Sequence, residues 1–212
     1  MDSMSERRRT SLTPREIARA ALELIDRDGL AAFSMRKLGA HLGIDPMTIY
    51  RRFEDQEALF DEVAAEMHRE IDLDRLPWDA PWPELAVAYG LALRDALLAH
   101  PNALPLYGTR PVRSPDAVEW AVRGLLKMAD EGVPSTTALQ IALCLNEYVV
   151  GHAMAMSAEQ SAAQRARPPA PGEPGFNVLA AAASKLSPGA HFELGLRALI
   201  DGLHRAVVHR NE

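Results

Sequence analysis

The sequence predicts an all-α protein in which a small N-terminal three-helix domain precedes a larger helical bundle. Apolar residues recur at helical spacing, no segment alternates with the period of two that a strand requires, and several helix starts carry capping side chains. With 212 residues, 48% of them apolar and 25% charged, the chain is long enough for one large or two small helical domains.

The first sixty residues contain the signals of three short helices. Thr-Pro-Arg-Glu at 13–16 is a capping box with proline at the first helical position, and Gly29 ends the helix that follows. Ser34 is expected to cap a second helix, which Gly43 ends, and Asp45 is expected to cap a third. Because the last two helices are joined by a tight turn, the segment predicts a helix-turn-helix.

The helix-turn-helix predicts DNA binding, because one helix fits the major groove and a second helix packed across it fixes its angle. Ile49 and Phe53 are expected to point inward and hold the third helix in place. Arg36 and Lys37, at the start of the second helix, are placed to meet a phosphate. The residues left on the outer side of the third helix and just after it are Met47, Thr48, Tyr50, Arg51 and Arg52.

Charge is distributed unevenly along the chain. Residues 1–53 carry ten Lys/Arg against seven Asp/Glu, a charge of +3. Residues 54–212 carry a charge of −9, which brings the net charge of the chain to −6. Phosphate binding requires a local positive surface and not a positive whole protein. The division is consistent with DNA binding at the N-terminal end.

The rest of the chain continues with helices separated by proline-rich breaks. A helix that opens near Asp55 runs to about Asp72, and the break at 74–83 is a natural boundary. A second proline-rich segment, 165–175, predicts a loop. Further helices are expected at 84–100, 116–130, 135–159 and 190–208, with a loop or short helices between 101 and 115.

Composition and motifs exclude several other classes. Cys144 is the one cysteine, which rules out an intramolecular disulfide and predicts a reducing compartment, and its apolar neighbours predict an inert core residue. The apolar window 138–156 holds too many polar residues for a membrane span, and no signal peptide is present. We therefore expect a soluble, cytoplasmic protein at the nucleoid. Catalytic motifs and metal-ligand spacings are absent, which predicts no enzyme, no metal and no cofactor.

The run 34–50, Ser-Met-Arg-Lys-Leu-Gly-Ala-His-Leu-Gly-Ile-Asp-Pro-Met-Thr-Ile-Tyr, continues to Phe53 and resembles the DNA-binding domain of the TetR family. Gly-Thr-Arg-Pro at 108–111, Gly132 and the run 192–203 resemble the C-terminal domain of the tetracycline repressors within that family. The likeness spans most of the chain. We accordingly expect a disordered basic arm at 1–12, the helix-turn-helix DNA-binding domain at 13–58, and a helical ligand-binding and dimerisation domain at 59–212.

The resemblance also implies roles for the residues of the DNA-binding domain. Arg36, Met47, Thr48 and Arg51 would contact bases, whereas phosphate contacts would come from Ser34, Tyr50 and Arg52. Gln56 departs from the lysine that the family often carries near the start of its fourth helix. A phosphate contact at this position would then be weaker, or Arg52 would supply it.

The resemblance further implies an effector cavity in the helical body, but the metal-binding residues of the tetracycline repressors are missing. Leu106 stands where they have a histidine, and Ala155 where they have an acidic metal partner. Since the chemistry that holds a hard cation is lost, we expect neither tetracycline nor magnesium, but a small, mostly apolar effector. The predicted pocket residues are Tyr89, Leu93, Leu106, Tyr107, Thr109, Val122 and Glu147.

Two features leave alternatives open. Asn146, Glu147 and His152 lie in an apolar helix, where each could contact an effector, face solvent or pair across a dimer. In the last helix an apolar stripe at i, i+4 and i+7 would serve either core packing or a partner helix, and the resemblance favours the partner. The predicted dimer residues are Phe192, Leu196, Leu199 and Leu203.

The function predicted from the sequence is a homodimeric repressor that binds a palindromic operator and is released by its effector. The alternative is a DNA-binding regulator without a small-molecule effector, controlled by a protein partner or by abundance.

Overall fold

The computed structural model describes residues 12–110, 114–163, 184–185 and 189–208. No strand occurs in these ranges, which confirms the all-α prediction. Two short 3₁₀ helices, Leu30–Ala32 and Leu73–Arg75, lie between α-helices. The α-helices of the described residues are α1 (Pro14–Asp28), α2 (Met35–Leu42), α3 (Pro46–Tyr50), α4 (Gln56–Arg69), α5 (Trp82–Ala99), α6 (Leu104–Thr109), α7 (Pro115–Asp130), α8 (Ser135–Ala163) and α9 (Ala190–Val208).

Side-chain caps begin the first four helices, as the sequence predicts for α1, α2 and α3. Thr13 Oγ1 accepts a hydrogen bond from the backbone N–H of Glu16, whose carboxylate accepts one from the backbone N–H of Thr13 at 2.8 Å. At the starts of α2, α3 and α4, the side-chain oxygens of Ser34, Asp45 and Asp55 each accept a hydrogen bond from a backbone N–H two or three residues later. These bonds satisfy N–H groups that have no partner within their own helix.

Glycine ends α2 and allows α3 to lie close to it. Gly43 has a φ of 66°, a left-handed conformation that ends α2 and turns the chain towards α3. A Cβ atom at Gly39 would lie 3.0 Å from the carbonyl oxygen of Ile44 and from Cγ of Pro46. The short distance between α2 and the start of α3 therefore depends on the missing side chain.

The chain forms two compact units, and the first contains residues 1–75 and 92–126. In this unit α1 lies against α2 and α4, α2 against α3, and α4 against α6. Fully buried side chains such as Ile17, Leu38 and Ile49 form its core.

The second unit contains residues 76–91 and 127–212, and α8 lies against α9 within it. Every third or fourth residue of α8 is buried between Ala138 and Ala153, which gives the helix one core face. A Cβ atom at Gly90 would lie 3.0–3.1 Å from Leu145 and Leu196, so α5 needs a glycine there. The boundary between residues 75 and 76 falls inside the proline-rich break.

Helix boundaries differ slightly from the predicted ones. α4 ends at Arg69, before the predicted end near Asp72, because a 3₁₀ turn follows it, and α8 extends to Ala163. The predicted loop at 165–175 and all but the last residue of the predicted arm at 1–12 lie outside the described residues. In the part of the chain that is described, no helix has both the length and the apolar character needed to cross a bilayer.

Candidate DNA-binding interface and effector site

The outer side of α3 exposes large side chains that a folded core would normally bury. Met47 is 62% exposed and Tyr50 44% exposed, whereas Ile49 and Phe53 are buried. Thr48 is half-buried, and Arg51 and Arg52 are exposed just past the end of the helix. The structure therefore places these outward residues on the side that the sequence predicts.

The cations near this surface differ in their freedom to bind another molecule. Arg36, Arg51 and Arg52 make no ion pair or side-chain hydrogen bond with any residue in the described ranges. Lys37 Nζ donates a hydrogen bond of 2.7 Å to the carbonyl oxygen of Ala32. Three guanidinium groups thus remain available for an anion, and Lys37 retains two of its three N–H donors.

Ser34 and Asp45 fix the two helices that carry this surface. Ser34 Oγ accepts a hydrogen bond of 3.2 Å from the backbone N–H of Lys37, and its own O–H remains a donor. Asp45 Oδ1 accepts one of 2.8 Å from the backbone N–H of Met47. Because α3 has only five residues, its position depends on this cap and on the buried side chain of Ile49.

The predicted pocket residues are divided between the two units and differ in burial. In the first unit Leu93, Leu106 and Tyr107 are buried, Thr109 is exposed, and Val122 is 47% exposed on α7. In the second unit Tyr89 is half-buried, and Glu147 is exposed on α8. Burial raises the pKa of the Tyr89 phenol to about 12, so this group stays a neutral hydrogen-bond donor.

An open cavity of about 490 Å³ lies in the first unit, at the end of α4 and the start of α7. Its lining is rich in charged residues and contains none of the seven predicted pocket residues. The sequence does not predict this cavity, because its walls come from three separate segments of the chain, at Arg15, at 68–74 and at 114–120. The lining residues are Arg15, His68, Arg69, Glu70, Ile71, Asp72, Leu73, Asp74, Ser114, Asp116, Ala117 and Trp120.

Ion pairs within the cavity wall link α4 to α7. Arg69 Nε donates to Asp116 at 2.6 Å, and Arg69 Nη1 donates to Glu62 at 2.9 Å and also to Glu66. Burial opposes the charge on Asp116, but the hydrogen bonds from Arg69 and Ser114 lower the pKa of this carboxyl to about 2. Burial also lowers the pKa of His68, which favours the neutral imidazole.

A second arginine ties the chain after α6 to α4. Arg110 Nη1 donates to Asp61 at 2.8 Å, and Arg110 Nη2 donates to Glu57. The guanidinium also lies over the ring of Phe60, 5.6 Å from its centroid. Both ends of α4 are therefore anchored by arginine in the first unit.

The apolar stripe of α9 faces the core of its own protomer. Phe192 and Leu196 are fully buried, and Phe192 is stacked on Tyr148 with ring centroids 5.3 Å apart. Neither side chain offers surface to a partner, because α8 of the same chain already covers this face. Phe192 and Leu196 therefore serve core packing, the first of the two uses that the sequence leaves open, whereas Leu199 and Leu203 are half-buried and their contact with a partner stays a prediction.

Other residues of the second unit expose apolar surface instead. On α8 and α9 the exposed apolar side chains include Leu139, Leu143, Met154 and Leu194. Cys144 is also exposed, contrary to the predicted core position, because it lies off the buried stripe of α8. Among the described residues, no group of three or more His, Cys, Asp or Glu could hold a metal ion.

Two family models match the chain, and together they cover nearly all the described helices. Residues 17–63 match the model of bacterial regulatory proteins of the tetR family. Residues 76–207 match the tetracyclin repressor-like C-terminal domain. The chain belongs to the TetR family. It is therefore a helix-turn-helix DNA-binding transcription regulator and not an enzyme, as the sequence predicts.

Relatives within the TetR family extend over the full fold. The class A tetracycline repressor from transposon 1721 of Escherichia coli is 30% identical over 208 residues, 95% of each chain. The Streptomyces coelicolor protein ActR, solved with actinorhodin, is 25% identical with a TM-score of 0.76, over 93% of this chain and 97% of that one. A class A TetR solved with 5a,6-anhydrotetracycline and magnesium is 25% identical with a TM-score of 0.69, over 92% and 99%.

Proposed function

We propose that this TetR-family regulator is a cytoplasmic repressor that binds a palindromic operator as a homodimer and is released by a small, mostly apolar effector. The observation that carries the proposal is the outer surface of α2 and α3. It combines exposed Met47 and Tyr50 with three guanidinium groups, of Arg36, Arg51 and Arg52, that have no partner within the described residues.

The chemistry of this surface suits base edges flanked by phosphates. Arg36 and Arg51 present paired N–H donors of the kind that match guanine, and the Met47 side chain suits the thymine methyl group. Thr48 would contact a base edge, whereas Tyr50 and Arg52 would hold phosphates. Ser34 and Lys37, whose remaining donors are free, would add phosphate contacts at the start of α2.

The exposed apolar side chains of α8 and α9 support a homodimer in which these helices meet their counterparts. Leu194 is 73% exposed, and Leu139 and Leu143 are each about half exposed. Large apolar side chains exposed on two helices that pack together are a feature of protein interaction surfaces. The α3 helices of two protomers related by a two-fold axis would lie about 34 Å apart, which is one turn of DNA. Because the two protomers are identical, the operator would have to be palindromic.

An effector that is mostly apolar agrees with the residues aligned with the ligand site of the tetracycline repressors. Leu93, Leu106 and Tyr107, all in the first unit, are buried, and the Tyr107 phenol is their one polar group. A few polar groups among apolar side chains are the usual composition of a small-molecule site. That ActR and a class A TetR were each solved with a small molecule supports effector control of this protein.

The exposure of Val122 favours a second candidate, a regulator without a small-molecule effector that a protein partner controls. Val118, Val122 and Leu126 follow one another at i, i+4 and i+8 along α7, and each is about half exposed. Such a stripe suits contact with another helix better than contact with a small ligand.

The proposal is tested by fluorescence anisotropy of labelled DNA from the region upstream of the gene, with salt titrated. We expect saturable, salt-sensitive binding that Arg36→Ala weakens by about tenfold or more while the protein keeps its oligomeric state. Arg27→Ala is the matched control, since Arg27 belongs to the same small domain but pairs with Asp28 at 2.8 Å. Equal losses in both variants, or no binding at low salt, would contradict the proposal.

A further inference from the structure

His100 lies between two carboxylates from different parts of the first unit. It follows the last residue of α5, and its side chain is only 13% exposed. Nδ1 is 2.6 Å from Oδ2 of Asp26 in α1, and Nε2 is 2.8 Å from Oε2 of Glu70, the residue after α4. We call His100, Asp26 and Glu70 the histidine clasp.

The geometry of the clasp requires a doubly protonated imidazole. An ionised carboxylate only accepts hydrogen bonds, so each ring nitrogen must donate one. Burial alone would lower the pKa of His100, but the hydrogen bonds to Glu70 and Asp26 outweigh it and the pKa is raised. Asp26 and Glu70 are the charged groups in contact with the ring among the described residues.

The carboxylate of Asp26 depends on the hydrogen bond from the protonated His100 ring more than the carboxylate of Glu70 does. Its second oxygen, Oδ1, is buried and has no hydrogen-bond partner within the described chain. The Asn102 side chain donates to the backbone carbonyl of Asp26 at 2.8 Å and leaves the carboxylate untouched. A neutral imidazole has one N–H and would leave one of the two carboxylates facing a lone pair.

The clasp joins the end of α1 to the end of α4 and to the corner that leads into α6. α1 is the helix against which α2 lies, and α2 carries α3. We propose that His100 is a positioning residue for the helix-turn-helix. Protonation of its ring holds α1 in place and thereby sets the affinity for the operator. This inference rests on the proposed function and adds a proton-linked control to it.

The direction of the pH effect follows from the raised pKa of His100. An unfolded histidine has a pKa of about 6.5, so the clasp contributes fully below that pH. Its contribution is lost as the pH rises through the higher pKa of the folded protein. When the clasp opens, the end of α1 becomes free to move. Binding to DNA must then order this segment again, and the entropic cost of doing so reduces the affinity.

The test is operator affinity by fluorescence anisotropy between about pH 6 and about pH 9 at constant ionic strength. Wild-type protein should bind the operator about tenfold more weakly at the highest pH. A change of this size lies within the usual range of coupling between two binding events, here of a proton and of DNA. His100→Gln should bind as weakly as wild type at high pH and show no such dependence. His204→Gln is the matched control, because His204 is an exposed histidine of the second unit that contacts Trp82.

Two further measurements keep the inference testable if His100→Gln folds poorly. His100→Arg keeps a cation between the carboxylates at every pH, so its operator affinity should stay constant where that of wild type falls. In wild-type protein, the NMR titration of the His100 ring should have the same midpoint as the loss of affinity. A ring that titrates at or below about pH 6.5 would overturn the inference.

The outcomes separate the inference from the proposed function. Operator binding with the same pH dependence in wild type and His100→Gln would overturn the inference and leave the repressor intact. Absence of specific binding by wild type at every pH would overturn both. Loss of the pH dependence in His100→Gln alone, with His204→Gln like wild type, would establish the clasp.

Discussion

Gly195 in α9 lies where the ring of Tyr148 crosses from α8. A Cβ atom at this position would be 2.2 Å from the Tyr148 hydroxyl oxygen and 3.1 Å from Cζ. The ring has little room to move, because it is stacked on Phe192 and its hydroxyl donates to the Phe192 carbonyl oxygen at 3.0 Å. The close approach of α8 and α9 thus requires glycine.

We predict that Gly195→Ala lowers the free energy of unfolding, measured by urea denaturation. Alanine gains about 1 kcal/mol over glycine in a helix, but the clash with Tyr148 costs about 1–3 kcal/mol and outweighs that gain. Gly124→Ala in α7 is the matched control, since its Cβ would meet nothing within 4 Å, and it should stabilise the protein. Stabilisation by both substitutions would contradict the close packing described for Tyr148.

Single residues were predictable where their role is local. Thr13, Ser34 and Asp45 cap their helices as the sequence predicts, because a capping bond spans only two or three residues. The histidine clasp was not predictable, since His100 and Asp26 are 74 residues apart. The apolar neighbours of Cys144 predict a core position, but the face of the helix decides exposure, and Cys144 is exposed.

At the scale of the element, α3 is the shortest α-helix described in the first unit. It has five residues, too few to be stable alone, and it begins with the cap from Asp45 and with Pro46 against Gly39. The outer surface of α3 therefore depends on contacts at the start of the helix as well as on the buried side chain of Ile49.

We predict that Asp45→Ala lowers the free energy of unfolding by about 1 kcal/mol and weakens operator binding several-fold, because α3 loses its cap. Asp45→Ser retains a capping oxygen and removes the charge, so it should keep the stability of wild type. Asp55→Ala removes the equivalent 2.8 Å cap from α4 and should affect stability more than DNA binding. Denaturation and anisotropy measured on all three variants test this, and equal behaviour of Asp45→Ala and Asp45→Ser would contradict the role of the cap.

The periodicity of an element predicts that it has a buried face but not what covers that face. The stripe in α9 that contains Phe192 and Leu196 suits either a core or a partner, and α8 of the same protomer buries both residues. In α7 the resemblance suggests a pocket position for Val122, whose side chain is 47% exposed. Tertiary packing decides between such alternatives, and a single sequence carries no direct record of it.

At the scale of the whole molecule, specific DNA binding and dimerisation are expected to depend on each other. The +3 charge of residues 1–53 lies on one short segment, and the exposed apolar residues of α8 and α9 lie in the second unit. A single helix-turn-helix offers too few base contacts for a specific site, so dimerisation and DNA binding should be lost together.

We predict that Leu143→Glu makes the protein monomeric and abolishes specific operator binding, because it places a charge in the proposed apolar interface. Val122→Glu is the matched control, with a side chain of similar exposure in the first unit, and it should remain dimeric. Sedimentation velocity distinguishes the two states. A dimeric Leu143→Glu, or a monomeric Val122→Glu, would contradict the proposed interface.

The fold class and the family could be predicted from the sequence because helix caps, helical spacing and the helix-turn-helix run are all local patterns. The exposure of the residues proposed to bind DNA could be predicted for the same reason, since they lie within twenty consecutive positions from Ser34 to Phe53. The predicted pocket residues are distant in the chain, so the resemblance could suggest them but could not predict how buried each one is.

Scrambling one half of the operator tests whether a homodimer binds a palindromic operator through α2 and α3. Anisotropy would compare DNA carrying both half-sites, DNA with one half-site scrambled, and DNA with both scrambled, at the same salt concentration. We expect tight binding only to the intact palindrome, with the single half-site bound little better than scrambled DNA. Equal affinity for one and two half-sites would contradict it.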